Sequence, residues 1–234
     1  MGTPMTEKEL ADGRFLESVA KGEVDKVQDM LRGGQSLQAT NESGETCIHM
    51  AVSNADEVML NLLIGQAEAP VDKADKKGAR PVTIAIQQNN AKAFETLYAK
   101  GADITKVNEK DKTTLLHTAV WAGHEEMVAV LLRTGRFKGA LLEAEDYDGR
   151  TALHQAAFRA SGEVCKMLID AGAEGVGIPD KFAMKPANLA ERSGRKKSKE
   201  YLLQCEAAFD ATLAAVKLRG KIKSKEATAT GVER

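Results

Sequence analysis

The stretch GRTALHQAAFRA, from Gly149 to Ala160, decides the fold. It sets a Thr, a Leu, a His and two Ala in fixed order and ends in Phe158 and Arg159, which fit no core pattern. Four other segments align on it: GETCIHMAVSNA from Gly44, GARPVTIAIQQN from Gly78, KTTLLHTAVWAG from Lys112 and AMKPANLAERSG from Ala183. Their matching residues Ala51, Ala85, Ala119, Ala156 and Ala190 are 34, 34, 37 and 34 positions apart. A degenerate copy precedes them, with Ser18 at the Ala position and Gly22 at the Gly position. Self-similarity at this period marks an array of stacked units.

Each copy continues with a second apolar run, such as Val128-Leu131-Leu132 or Val164-Met167-Leu168, at the i, i+3, i+4 spacing of one helical face. Glycine stops follow at Gly33-Gly34, Gly101-Ala102 and Gly172-Ala173, where a helix can end in a left-handed cap. Each unit therefore reads as short helix, turn, short helix, extended loop. Helices this short are marginal alone, so the units must bury their apolar stripes against one another.

The pattern resembles the ankyrin repeat, whose T-P-L-H-x-A signature is matched best by Thr151-Ala152-Leu153-His154-Gln155-Ala156. The resemblance covers residues 11–206 and implies an all-α solenoid of stacked helix-turn-helix units with projecting hairpin loops. The units fall near 11–40, 41–74, 75–108, 109–145, 146–179 and 180–206. They are preceded by a flexible N-terminus (1–10) and followed by a further helix (207–219), carrying Phe209, Leu213 and Val216, and a disordered basic tail (220–234). Arg80 and Thr83 replace the motif Thr and His in the third copy, as Lys185 and Asn188 do in the last, so those units need different hydrogen bonds and are expected to be weaker. The three extra residues between Ala119 and Ala156 are expected in the loop around Arg136-Phe137-Lys138-Gly139, because an insertion inside a stacked helix would break the array.

His49, His117 and His154 are the residues that suggest acid-base or metal chemistry. Each instead falls three residues after Thr46, Thr114 or Thr151 at a helix start, where hydroxyl and imidazole can satisfy orphan amide donors and tie units together. Cys47, Cys165 and Cys205 are widely spaced within apolar patterns, and no CxxC pair, phosphate loop, G-x-S-x-G or H-E-x-x-H is present. No catalytic residue, metal, cofactor or small-molecule substrate is expected.

What remains is surface. In an ankyrin-like stack the residues flanking the motif Gly and those just after the Ala pair face the concave side. In the second and third units these are Glu42, Ser43, Met50, Ser53, Asn54, Lys76, Lys77, Gln87 and Gln88. In the last three they are Lys110, Asp111, Trp121, Tyr147, Asp148, Arg150, Phe158, Arg159, Lys181, Phe182 and Arg192. Aromatics make up 4% of the chain, yet the single Trp, one Tyr and two Phe fall here, and Trp, Tyr and Arg are the residue types that dominate interface energetics. The expected function is that of a non-catalytic adaptor or scaffold, monomeric when free, gripping another protein; occlusion of a partner enzyme or transcription factor is a variant of it.

Net charge is −1, but Arg192, Arg195, Lys196, Lys197, Lys199, Lys217, Arg219, Lys221, Lys223 and Lys225 crowd one end. That end offers an alternative, electrostatic docking on anionic lipid, nucleic acid or an acidic filament; nucleic acid is the weaker option for want of interleaved aromatics, and both nucleic acid and membrane rank below a partner protein. No apolar run of membrane-spanning length or signal-peptide core is present, so a cytoplasmic address is expected, with a nuclear one as the alternative. The opening MGTPMT fits the pattern for myristoylation of Gly2.

Overall fold

The computed structural model describes residues 6–229, with side chains through residue 214. Six helix pairs follow one another along the chain. They are α1 (Glu7–Ala20) with α2 (Val24–Arg32), α3 (Cys47–Ser53) with α4 (Glu57–Ile64), and α5 (Pro81–Gln87) with α6 (Ala91–Ala99). Then come α7 (Leu115–Ala122) with α8 (Glu125–Arg133), α9 (Ala152–Arg159) with α10 (Gly162–Asp170), and α11 (Pro186–Arg192) with α12 (Lys196–Ala229). The first helices form one row, α1 on α3, α5, α7, α9 and α11 in turn, and the second helices form another. Within that second row α6 and α8 are the loosest neighbours.

The repeat period is the period of burial. Ala51, Ala85, Ala119, Ala156 and Ala190 are fully buried, because only a methyl group fits where consecutive first helices cross. Leu63, Leu97, Leu131, Leu168 and Leu202 are fully buried at the matching place in the second row. Each such leucine contributes about 2 kcal/mol by leaving water, and none can do so without the unit beside it.

Between pairs the chain forms hairpins, closed by an Asn or Asp at the same place. Asn41 Oδ1 accepts from the Ser43 and Glu45 amides, both at 2.9 Å. Asp75, Asp146 and Asp180 repeat the pattern at 2.8–2.9 Å. Successive hairpins are joined edge to edge by backbone rungs: Lys76 N–H to Ser43 O (2.9 Å), Tyr147 N–H to Asp111 O (3.0 Å) and Lys181 N–H to Asp148 O (3.0 Å). Between the third and fourth hairpins the rung to Lys77 O is replaced by a 3.5 Å bond from the Asn108 side chain. The fourth hairpin is one residue longer, since Asn108 N–H reaches Thr113 O where Asp75 N–H reaches Ala79 O.

The turn residue is left-handed in every hairpin: φ is +81° at Gly44, +84° at Gly78 and +75° at Gly149, but Lys112 (+62°) and Ala183 (+60°) hold the same conformation with a Cβ. A side chain there costs about 1 kcal/mol. Lys112→Gly and Ala183→Gly are each expected to stabilise the chain by about that amount in urea unfolding; a loss of stability would show that the side chains make compensating contacts.

Two boundaries differ from the sequence expectation. Helix α1 starts at Glu7, inside the segment expected to be flexible, because Thr6 and Glu9 form a reciprocal capping box. The expected helix at 207–219 and the start of the expected tail at 220 belong to one helix, α12, which continues the sixth unit's second helix to Ala229. No proline interrupts that stretch and alanine recurs through it, so nothing stops propagation where the stack ends. Residues 1–5, with Gly2, and 230–234 lie outside the described residues. The insertion falls where the loop was expected, as a 3₁₀ turn at Gly139–Leu141 that follows Phe137, which is buried.

Candidate functional site

The three histidines share one geometry. The Thr46 amide donates to His49 Nδ1 at 3.0 Å, which leaves the proton on Nε2, and Nε2–H donates to the Ala79 carbonyl of the next unit at 3.1 Å. His117 is bonded to Thr114 N–H (3.2 Å) and Arg150 O (3.0 Å), and His154 to Thr151 N–H (3.2 Å) and Ile178 O (3.0 Å). Burial holds all three imidazoles below the ordinary histidine range, against the raising influence of those carbonyls. Both ring nitrogens are engaged, so these are neutral clamps, His49 and His117 onto the next unit and His154 onto the loop that leads to the last one, without a free lone pair for metal or proton transfer. Among the described residues no cluster of His, Cys, Asp or Glu is arranged to hold a metal ion. Cys47 and Cys165 are buried and their thiols are pushed up to about 12 by desolvation, which leaves almost no thiolate at neutral pH.

Where the motif is missing, other groups make the link. The Arg80 amide donates to Thr83 Oγ1 at 3.3 Å, and its buried guanidinium donates to the carbonyls of Asp103 (3.4 Å) and Lys106 (2.7 Å) in the loop that leads to the fourth unit. Lys185 bonds Asn188 Oδ1 through its amide (3.1 Å) and pairs with Glu206 on α12 (2.6 Å). His124 reaches back to the Gln87 carbonyl at 2.9 Å.

An open groove of about 910 Å³ runs across the second to sixth units between the hairpin bases and the first helices. One frame position lines its helix wall: Ser53, Gln87, Trp121, Phe158 and Arg192, each two residues after the buried Ala. Trp121 is 54% exposed and Phe158 39%. The hairpin wall carries Glu45, Asp75, Asp111, Asp146 and Asp148 against Lys77 and Arg150.

The residues expected at the concave face are divided by the structure. Asp111, Trp121, Asp148, Arg150, Phe158 and Arg192 line the groove; Lys110, Tyr147, Arg159 and Phe182 stand outside its lining. Tyr147 and Phe182 are exposed on the hairpins, with the Lys181 ammonium 5.3 Å from the Tyr147 ring and the Arg150 guanidinium 5.5 Å from that of Phe182. The Arg159 guanidinium stacks 3.8 Å from the Trp121 ring centre. These aromatics are thus dressed by the chain's own cations. Arg150 also spans Asp148 (3.3 Å) and buried Asp180 (2.9 Å).

The basic end is likewise divided. Arg195 donates to the carbonyls of Phe158 (3.1 Å) and Arg159 (2.6 Å), closing the C-terminus of α9, and Lys199 pairs with Glu191 at 2.6 Å. Lys196 and Lys197 are exposed. The side chains of Lys217, Arg219, Lys221, Lys223 and Lys225 lie outside the described residues. Sequence reading missed Glu45, Asp75, Asp146 and Gln155 as groove residues; the recurrence of Asn or Asp three residues before the hairpin Gly was the available signal.

A family profile described as ankyrin repeats in three copies matches residues 15–108 and 104–177. The chain is 27% identical over 159 residues to the nuclear factor NF-kappa-B p105 subunit of Gallus gallus, covering 67% of this chain and 16% of that protein. It is 24% identical over 213 residues to synphilin-1 of Mus musculus, covering 90% of this chain and 21% of that one. It thus spans only a small part of these relatives. A solved ankyrin repeat domain from Acinetobacter baumannii superposes with a TM-score of 0.70 at 24% identity, covering 81% of this chain and 96% of that one. A structure of a Bdellovibrio bacteriovorus predatory endopeptidase in complex with an immunity protein matches at the same TM-score and coverage with 18% identity. Among the described residues no helix is long and apolar enough to cross a membrane.

Proposed function

The chain belongs to the ankyrin-repeat family, and from that premise we propose that it is a non-catalytic protein-recognition module that grips a segment of another protein in its concave groove. Ankyrin repeats are protein-interaction modules, and the observation that carries the reading here is the row Ser53, Gln87, Trp121, Phe158, Arg192. These five side chains occupy one repeated position, line one continuous groove and are absent from the buried core. The backbone beneath them is fixed by buried alanines and histidine clamps, so binding orders little of the receptor, and a preformed surface loses less entropy on association. The placement of Trp121 and Phe158 side by side supports them as anchors. Adaptor and occluding inhibitor are two uses of this grip.

The test is affinity capture by the intact chain beside the Trp121→Ala/Phe158→Ala variant, with captured proteins identified by mass spectrometry. A second arm separates the groove from the basic end. Truncation after Arg219 is expected to leave groove-dependent capture unchanged. Loss of capture on truncation, with the steep salt dependence of counterion release, would assign the interaction to the basic end. The engagement of Arg195 and Lys199 inside the fold supports the groove over that end.

A further inference from the structure

The groove's two walls differ in chemistry, and the difference selects an occupant. The helix wall is neutral from Ser53 to Phe158 and ends in one cation, Arg192. The hairpin wall holds five carboxylates and two cations, and one of those cations, Arg150, is already held by Asp148 and Asp180. Closing the hairpins does not demand this charge. Asn41 closes the second hairpin with a neutral amide oxygen through the same two bonds that Asp75 and Asp146 make.

An independent observation points the same way. Gln155 lines the groove and is 8% exposed; its Nε2 donates to Asp146 Oδ2 at 2.8 Å, while its carbonyl oxygen Oε1 is buried without any hydrogen-bond partner. A buried acceptor left unpaired is costly, and this one sits on the helix that also carries Phe158. Asp111 stands next to the same hairpin, because its carbonyl accepts the Tyr147 amide. The middle of the groove therefore offers acceptors on one side, at Asp111, Asp146 and Gln155, and aromatic surface on the other.

Resting on the recognition reading above, we infer that the groove takes a basic segment of a partner protein, with a lysine or arginine head directed to the Asp111–Gln155 acceptors and its stem, or an adjoining apolar side chain, against Trp121 and Phe158. A long cationic side chain suits this surface because its methylenes are apolar and its head donates hydrogen bonds only. The Arg159 guanidinium already lies over the Trp121 ring, 3.8 Å from its centre, so the indole face accepts a cation in this setting.

The experiment pans a random-peptide phage library on the immobilised full chain and discards phage that also bind the Trp121→Ala/Phe158→Ala variant. Enriched peptides are then titrated by fluorescence polarisation against Asp111→Asn and Gln155→Leu, with circular dichroism of each. Enrichment of Lys and Arg is expected, together with a loss of affinity of about tenfold for Asp111→Asn and a smaller loss for Gln155→Leu at unchanged helix content. Asp111→Asn keeps the oxygen that accepts from Thr113, so it tests charge with the hairpin intact. Groove-dependent peptides rich in Asp and Glu, or indifferent to Asp111→Asn, overturn the cationic assignment and leave the groove as a site of other specificity. Absence of any groove-dependent peptide overturns the recognition reading itself.

Discussion

On acidification from about pH 7 to about pH 5 the stack is expected to lose unfolding free energy, measured by urea titration followed by circular dichroism. The cause is the three imidazole clamps. His49, His117 and His154 are held neutral by burial, with folded-state affinities for protons below the ordinary histidine range. In the unfolded chain they titrate near 6.5. Between those values the unfolded chain binds more protons than the folded one, so stability is full above about pH 6.5 and falls as pH drops towards the folded-state values. Each histidine contributes at most about 1.4 kcal/mol for each pH unit between its unfolded and folded values. Protonation of Nδ1 would also set a proton against the Thr amide that now donates to it. Glu143 acts in the opposite sense: burial raises its carboxyl above 4.5, so its share is complete at lower pH and is lost as pH rises through the folded value. Stability unchanged down to about pH 5 would mean that the fold accommodates charged imidazoles and that the clamp description is wrong.

Replacing Trp121 and Phe158 together by Ala is expected to weaken partner capture by roughly two orders of magnitude, the loss of two anchors each worth about 1.5–2 kcal/mol. The two residues are 54% and 39% exposed and lie outside the buried core, so melting and helix content are expected to shift little. The variant also releases Arg159 from the indole face it covers. Arg159→Ala is therefore the matched control: if it alone reproduces the loss, the guanidinium and not the aromatic surface makes the contact. Undiminished capture by the double variant would remove the aromatic pair from the interface.

The fold was legible because the period is written in residues with no alternative packing role. Ala156 and its four counterparts recur in frame, and burial follows that frame without exception. The helix wall of the groove was legible for the same reason, since Phe158 and Trp121 occupy one position of the repeat. The hairpin wall was not. That Asp75 and Asp146 close hairpins while turning charge into the groove depends on backbone direction, which spacing does not encode. Nor could a run of cations show that Arg195 is committed to carbonyls of α9, or that Arg159 lies on Trp121. The break at residue 219 failed because composition describes solubility, whereas a helix already nucleated by packing continues until something stops it.

The substituted rung at Lys77 O acquires weight beside the looseness of α6 against α8. Along both margins of the array, units three and four are the least tightly stitched, while α5 and α7 stay in contact along the inner row. The His124 bond to the Gln87 carbonyl and the inner row still join the two units there, and this junction is where the array is expected to part first under load.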